Sequence, residues 1–207
     1  MFPYNLSNMI QPSAIPIIGR HRNLPQYGFI GTIDDVRVYN RALTDEEILL
    51  QSEHPAKNGL LAYYPLDEAK GETAFDASGN NNHATVKDGA AWTDGKINKA
   101  LRFIAGENDR LQPPSVPLQG DGWSISLWYN GAGTPFGWGY TYYSQGAQGM
   151  NFHTTEGVWN FSFGYGAASD VGFWNHMTIS MDNTTKRIKV LVRNEEQCQW
   201  YQQNIKW

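Results

Sequence analysis

Residues 28–48 read GFIGTIDDVRVYNRALTDEEI, a strand that runs straight into a helix. Alternation puts Ile30, Thr32, Asp34, Val36 and Val38 on one face and Phe29, Ile33, Asp35, Arg37 and Tyr39 on the other. Thr44 and Glu47 form a capping box, and Ile48, Leu49 and Leu50 give the following turn an apolar face. This predicts one short helix over 44–52, ended by the His54-Pro55 to Asn58-Gly59 linker.

Outward from that stretch the chain reads as strands and turns. Leu60–Pro65 is a strand, and 67–83 is a long turn region rich in Asp, Gly and Asn. Further strands are expected at 100–104, 110–112, 123–129 (WSISLWY), near 140–145, 149–154, 157–165, 173–182 and 186–193. Gly131–Gly139 reads as a flexible loop and Asp182-Asn183-Thr184-Thr185 as a hairpin turn. The segment 197–207 reads either as an aromatic and amide patch around Trp200 and Tyr201 or as a connecting strand. Many short strands separated by turns predict an all-β, two-sheet antiparallel sandwich of the jelly-roll kind.

Composition narrows the function classes. A chain of 207 residues suits one sandwich, and its net charge of −4 gives no basic footprint for nucleic acid or an anionic membrane. Cys198 is the sole cysteine, so no intrachain disulfide is expected. The N-terminus lacks the basic-then-apolar pattern of a signal peptide, and no stretch reads as a membrane-spanning helix.

Four blocks resemble the laminin-G-like, concanavalin A-like lectin and glucanase sandwiches. They are 59–86, with Y-P-L-D-E and D-A-S-G-N-N-N-H; 123–129; 174–178, W-N-H-M-T, with its hairpin to 190–193; and 17–48. In that family the last of these blocks normally closes the domain, whereas here it comes first. The resemblance implies a single sandwich, 1–207, in circularly permuted order, with 1–57 supplying the strands that usually come last. The alternative is two half-domains of a tandem array, 1–57 and 58–207, completing one another between chains as a strand-exchanged homo-oligomer. The resemblance also implies an extracellular or cell-surface setting.

An aspartate in phase with Val36 and Val38 needs a partner, because a buried lone carboxylate is costly. Asp34 could take hydrogen bonds from N–H groups or an Arg, or it could face a cation. Hard oxygen ligands suit Ca²⁺, and the 76–82 turn offers more of them. The resemblance favours a structural calcium on Asp34, with Asp76 and Asn80 as further candidate ligands. Asx turns are the plainer account of Asp76 and Asn80.

The glucanase branch carries paired acids at alternate positions of one strand, and no such run exists here. A non-enzyme is therefore expected. The densest aromatic and amide segment begins at Phe136, and it supplies a candidate sugar site: Trp138, Tyr140 and Tyr142 for stacking, with Gln145, Asn151 and His153 as polar partners. Core packing is the competing role for these aromatics, and the expected one for Trp123, Trp128, Trp159 and Trp174. The sequence thus predicts a non-catalytic, lectin-like carbohydrate-binding or adhesion module. Its alternative is a structural, protein-interaction domain with no sugar ligand. The partner is a glycan or a cell-surface protein, with no nucleic acid and no membrane insertion.

Overall fold

The computed structural model describes residues 17–20, 28–104, 108–114, 121–133, 135–138, 149–155, 158–164, 172–185, 187–194 and 200–206; 137–138, 149–155, 158–164 and 200–206 are described as backbone. In chain order the elements are β1 (Ile17–Ile18), β2 (Ile30–Tyr39), α1 (Asp45–Leu50), β3 (Leu60–Tyr64), β4 (Thr73–Ala74), β5 (Ala84–Lys87), β6 (Ala91–Asp94) and β7 (Lys99–Phe103). They continue as β8 (Arg110–Gln112), β9 (Gly122–Ala132), β10 (Phe136–Trp138), β11 (Gly149–Thr155), β12 (Val158–Gly164), β13 (Asn175–Asp182), β14 (Arg187–Asn194) and β15 (Trp200–Lys206). No helix among the described residues is long and apolar enough to cross a membrane.

The strands form two antiparallel sheets, as the sequence predicts. One runs β11-β12-β10-β1-β8-β5-β4; the other runs β15-β14-β13-β9-β2-β7-β6, with β3 also paired to β2. Apolar residues from both fill the space between them. Ile18, Val86, Leu111 and Phe136 come from the first sheet, and Ile33, Val38, Leu101, Ile125, Leu127, Met177 and Ile179 from the second.

The second sheet turns on β2. One edge of β2 pairs with β9 along its length. The other edge pairs with β7 at Gly31–Ile33 and with β3 at Val36–Tyr39. Between those halves the register slips. Asp34 lies opposite Trp128 and Arg37 opposite Ser126, so Asp35 and Val36 together face Leu127. This is a one-residue bulge, with Asp35 at φ 55 in the left-handed region usually held by glycine. The bulge corrects the phase expected from simple alternation. Ile33, Val36 and Val38 are all in the inter-sheet core, while Asp34 aligns with Trp128 and not with the two valines.

The far side of this sheet is covered as well. Residues 40–56 cross it as a strap, and Tyr39, Leu43, Ile48 and Leu191 make a second small core there with Ala56 and Leu60. Leu43 N–H donates to the Ser124 and Ser180 hydroxyls at 3.0 and 2.9 Å. This cover explains why Trp123–Tyr129 is buried on both faces. The capping box forms as read, with Glu47 N–H to Thr44 Oγ1 at 3.2 Å and Thr44 N–H to Glu47 Oε2 at 2.9 Å. The helix closes at Leu50, with Gln51 as its C-cap.

Some strand expectations change. The predicted 131–139 loop is partly strand, because β9 runs on to Ala132 and β10 begins at Phe136. The short strands β4, β5 and β6 were not expected, and of the two readings of 197–207 the strand is found there, as β15. The strand expected near 140–145 and both chain ends lie outside the described residues.

Gly31 and Gly131 face one another across β2 and β9, at φ +144° and +152°. A Cβ on either would sit 2.1 Å from a backbone oxygen of the opposite strand. Gly31→Ala is expected to cost at least about 2 kcal/mol, combining overpacking with backbone strain, which urea unfolding would register as a lower midpoint. An unchanged midpoint would show that the strands can spread at no cost.

Candidate functional site

Asp34 is fully buried on β2. Its Oδ2 accepts the Ile97 N–H at 2.8 Å, and its Oδ1 has no hydrogen-bond partner among the described residues. The turn it reaches joins β6 to β7. Gly95 in that turn lies so close that a Cβ there would stand 2.7 Å from Asp34 Oδ2. Burial pushes the Asp34 carboxyl up to about 7; the backbone N–H groups of Ile97 and Asp35 oppose this, and the charges of Asp35 and Asp67 add to it.

Asp67 binds the same turn. Its Oδ1 accepts the Lys99 N–H at 2.9 Å and its Oδ2 the Asn98 amide at 3.2 Å. Asp67 opens the 67–83 turn region read from the sequence, and its hydrogen bonds to Asn98 and Lys99 give it a role there. Next along β2, Asp35 and Arg37 form a bidentate pair at 2.5 and 2.9 Å, with the guanidinium 4.3 Å from the centre of the Tyr63 ring. Both partners are nearly buried.

The other metal candidates behave differently. Asp76 Oδ1 accepts the N–H groups of Tyr63 and Ser78 at 2.9 and 2.8 Å; its Oδ2 accepts the Ser78 hydroxyl at 2.8 Å and the Asn82 N–H at 2.9 Å. Burial raises its pKa, but those donors outweigh it and hold the carboxyl below the usual range. His83 Nδ1 takes the Asp76 N–H at 2.9 Å. Asn80 turns its amide nitrogen to the Leu60 and Leu61 carbonyls at 2.9 and 3.1 Å. The 76–82 turn is thus a hydrogen-bonded clasp on β3. Asp76 has both oxygens occupied, and Asn80 is engaged as a donor. Among the described residues no three His, Cys, Asp or Glu side chains form a metal-holding group. Of the three candidates Asp34, Asp76 and Asn80, Asp34 is the one with a buried carboxylate oxygen that has no hydrogen-bond partner among the described residues, which is the chemistry a hard cation would answer.

Of the expected sugar-site residues, Tyr140, Tyr142 and Gln145 lie outside the described residues. Trp138 is in β10, opposite Phe161 and two positions from the core residue Phe136. Asn151 and His153 are alternate residues of β11, opposite Ser162 and Asn160 of β12, and Ser162 in turn lies opposite Gly137. The register therefore groups Asn151 with His153 and sets Trp138 in the other alternation.

Of the tryptophans assigned to packing, Trp123 is in the inter-sheet core. Trp128 is buried too, but on the strap side, its ring 5.0 Å from that of His176 and 5.5 Å from Lys96 Nζ. His176 is buried, and burial, with Arg37 and Arg193 nearby, pulls its pKa down to about 3. Trp174 is half-buried, and the Trp159 side chain lies outside what is described.

These two shifts act on stability in opposite windows. Asp34 has a folded pKa raised from 3.8 to about 7, so its contribution is full below about 3.8 and lost as pH rises through 7. His176 has a folded pKa lowered from 6.5 to about 3, so its contribution is full above 6.5 and lost as pH falls towards 3. Asp34→Asn, melted in chelator, is expected to gain on the native protein as pH rises from about 4 to 8. A melting difference that stays constant over that range would rule out a buried ionisation at Asp34.

No family model, no curated protein and no solved structure matches this chain.

Proposed function

We propose that this chain is a non-catalytic carbohydrate-recognition module that carries a structural calcium ion at Asp34. The sugar reading rests on one observation, the register that sets Asn151 and His153 of β11 against Ser162 and Asn160 of β12. Planar amides, a hydroxyl and an imidazole at alternate positions of adjacent strands are the groups that pair with sugar hydroxyls. Gly137, across from Ser162, adds no side chain that would obstruct a ligand. Tyr140 and Tyr142, next in sequence, supply rings for stacking, and Gln145 a further amide. Trp138 lies in β10 beside this face, in the alternation of Phe136.

The calcium reading rests on Asp34 Oδ1, a buried carboxylate oxygen with no partner among the described residues. A divalent cation would supply the positive charge this carboxylate lacks, with backbone carbonyls or water completing its oxygen shell. Asp76 is left out of this ligand set because both its oxygens are already engaged, and Asn80 because its amide nitrogen ties it to the carbonyls of β3. The ion's part is structural: it would hold β2 to the β6–β7 turn.

A glycan array is the test of the first reading. The protein is expected to bind a subset of sugars, and Asn151→Ala with His153→Ala to weaken that binding at least about tenfold while leaving the melting temperature unchanged. Failure to bind any glycan would favour the protein-interaction reading instead. The ion is tested separately. EDTA should lower the melting temperature and added Ca²⁺ restore it, more at pH 8 than at pH 5, because protons compete for Asp34. Asp34→Asn should abolish the response. If EDTA and Ca²⁺ leave the melt unmoved at both pH values, no ion is bound there.

A further inference from the structure

Three buried polar atoms on the strap side of the second sheet have no hydrogen-bond partner among the described residues: Gln51 Nε2, Thr178 Oγ1 and His176 Nε2. Gln51 and Thr178 are fully buried, and His176 is 4 % exposed. The sheet register and the contacts of Gln51 place them on one face. Thr178 pairs with Ser126 and His176 with Trp128, and the two are alternate residues on one face of β13. Gln51 hangs over the same place, its Oε1 accepting the Tyr39 hydroxyl at 3.0 Å and the Ser126 hydroxyl at 3.3 Å.

Turning the Gln51 amide over does not resolve the set. Its NH₂ would then face the two hydroxyls and its oxygen would be left without a partner in the same place. Buried polar groups in native proteins are almost always paired, and a small polar space lined by two to four such groups is where internal water is held. The chemistry of the three atoms is complementary to water. Gln51 offers an N–H, a neutral His176 offers a ring nitrogen as acceptor, and the Thr178 hydroxyl can do either. The strap closes the place from outside, since Ser124 and Ser180 tie down Leu43, and Ser52 and Glu53 are bound by Arg193.

We propose that an ordered internal water binds between Gln51 Nε2, Thr178 Oγ1 and His176 Nε2, fastening the C-terminal end of α1 to the outer face of the sheet. It accepts from the Gln51 amide, donates to His176 Nε2 and shares a hydrogen bond with Thr178. His176 then carries its proton on Nδ1. The inference is independent of any sugar or cation.

A high-resolution crystal structure of the whole chain tests it, together with water-oxygen magnetic relaxation dispersion. The native protein should show a solvent peak within hydrogen-bond distance of at least two of the three atoms. Thr178→Val or Gln51→Met should lose the peak and one long-lived water from the dispersion amplitude. A direct hydrogen bond among Gln51, Thr178 and His176, or a native structure with no solvent peak there, would overturn the proposal.

Discussion

Asp35 and Arg37 hold each other by two hydrogen bonds inside a single strand, and the rest of the second sheet is arranged around that pair. Two residues apart on a regular strand would share a face at a separation that suits such a fork. Here the pair spans a bulge, and Asp35 takes a left-handed conformation that L-residues avoid. The ion pair offsets that strain. Removing one partner would leave the other nearly buried and uncompensated, which is the costly outcome for an internal salt bridge. The bulge in turn resets which side of β2 faces the core. It allows Ile33 and Val36 both to point inward, and it is where β2 exchanges β7 for β3 as its neighbour.

A second consequence lies on the outer face. Beyond the bulge, Arg37 and Tyr39 lie opposite Ser126 and Ser124. That face is small and polar: Ser124, Ser126, Thr178 and Ser180 line it. A bare apolar face would have invited a partner or a layer of helices. Hydroxyls instead accept and donate to the backbone of the strap itself, so residues 40–56 can lie close without side-chain bulk between them. The sheet is therefore covered on both sides by one chain, with an apolar core on the inside and a mixed polar one outside. Surface ion pairs, Lys189 with Asp45 and Arg193 with Glu53, only trim the edges of that cover.

Much of this was readable in advance. The capping box was, because its two hydrogen bonds need only Thr44 and Glu47 at fixed spacing. The 182–185 turn was, because Asp182 caps it locally, accepting from Thr184 and Thr185. The two-sheet class followed from the number of short strands. The phase of Asp34 was not readable, since a bulge inverts alternation and nothing in I-D-D-V-R announces one before the Asp35–Arg37 contact is seen. The strands at 130–138 were hidden by glycines, which in this chain mark close backbone approach at Gly31 and Gly131 as well as turns. Asp34 was singled out correctly as a buried carboxylate, though for a reason the register overturns. The partners of Asp67 and Gln51 could not be read at all, because each depends on a segment at least a dozen residues away folding onto it.

Asp34 and Asp76 show why burial alone does not define a site. Both are buried aspartates, and desolvation pushes both carboxyls up. Asp76 receives four hydrogen bonds, two on each oxygen, and its net shift is downward. It is a finished structural element, and a cation there would have to displace donors already in place. Asp34 accepts the Ile97 N–H on Oδ2, and its Oδ1 has no hydrogen-bond partner among the described residues. With two more acidic charges acting on it from Asp35 and Asp67, its negative charge is under-compensated where it stands. Such a group has two ways to become stable at neutral pH: bind a proton or bind a cation. The proton is always available, so an ion can win only if the folded chain gains more from it than from protonation. On the calcium reading, that competition would make any stabilisation by a cation at Asp34 depend on pH.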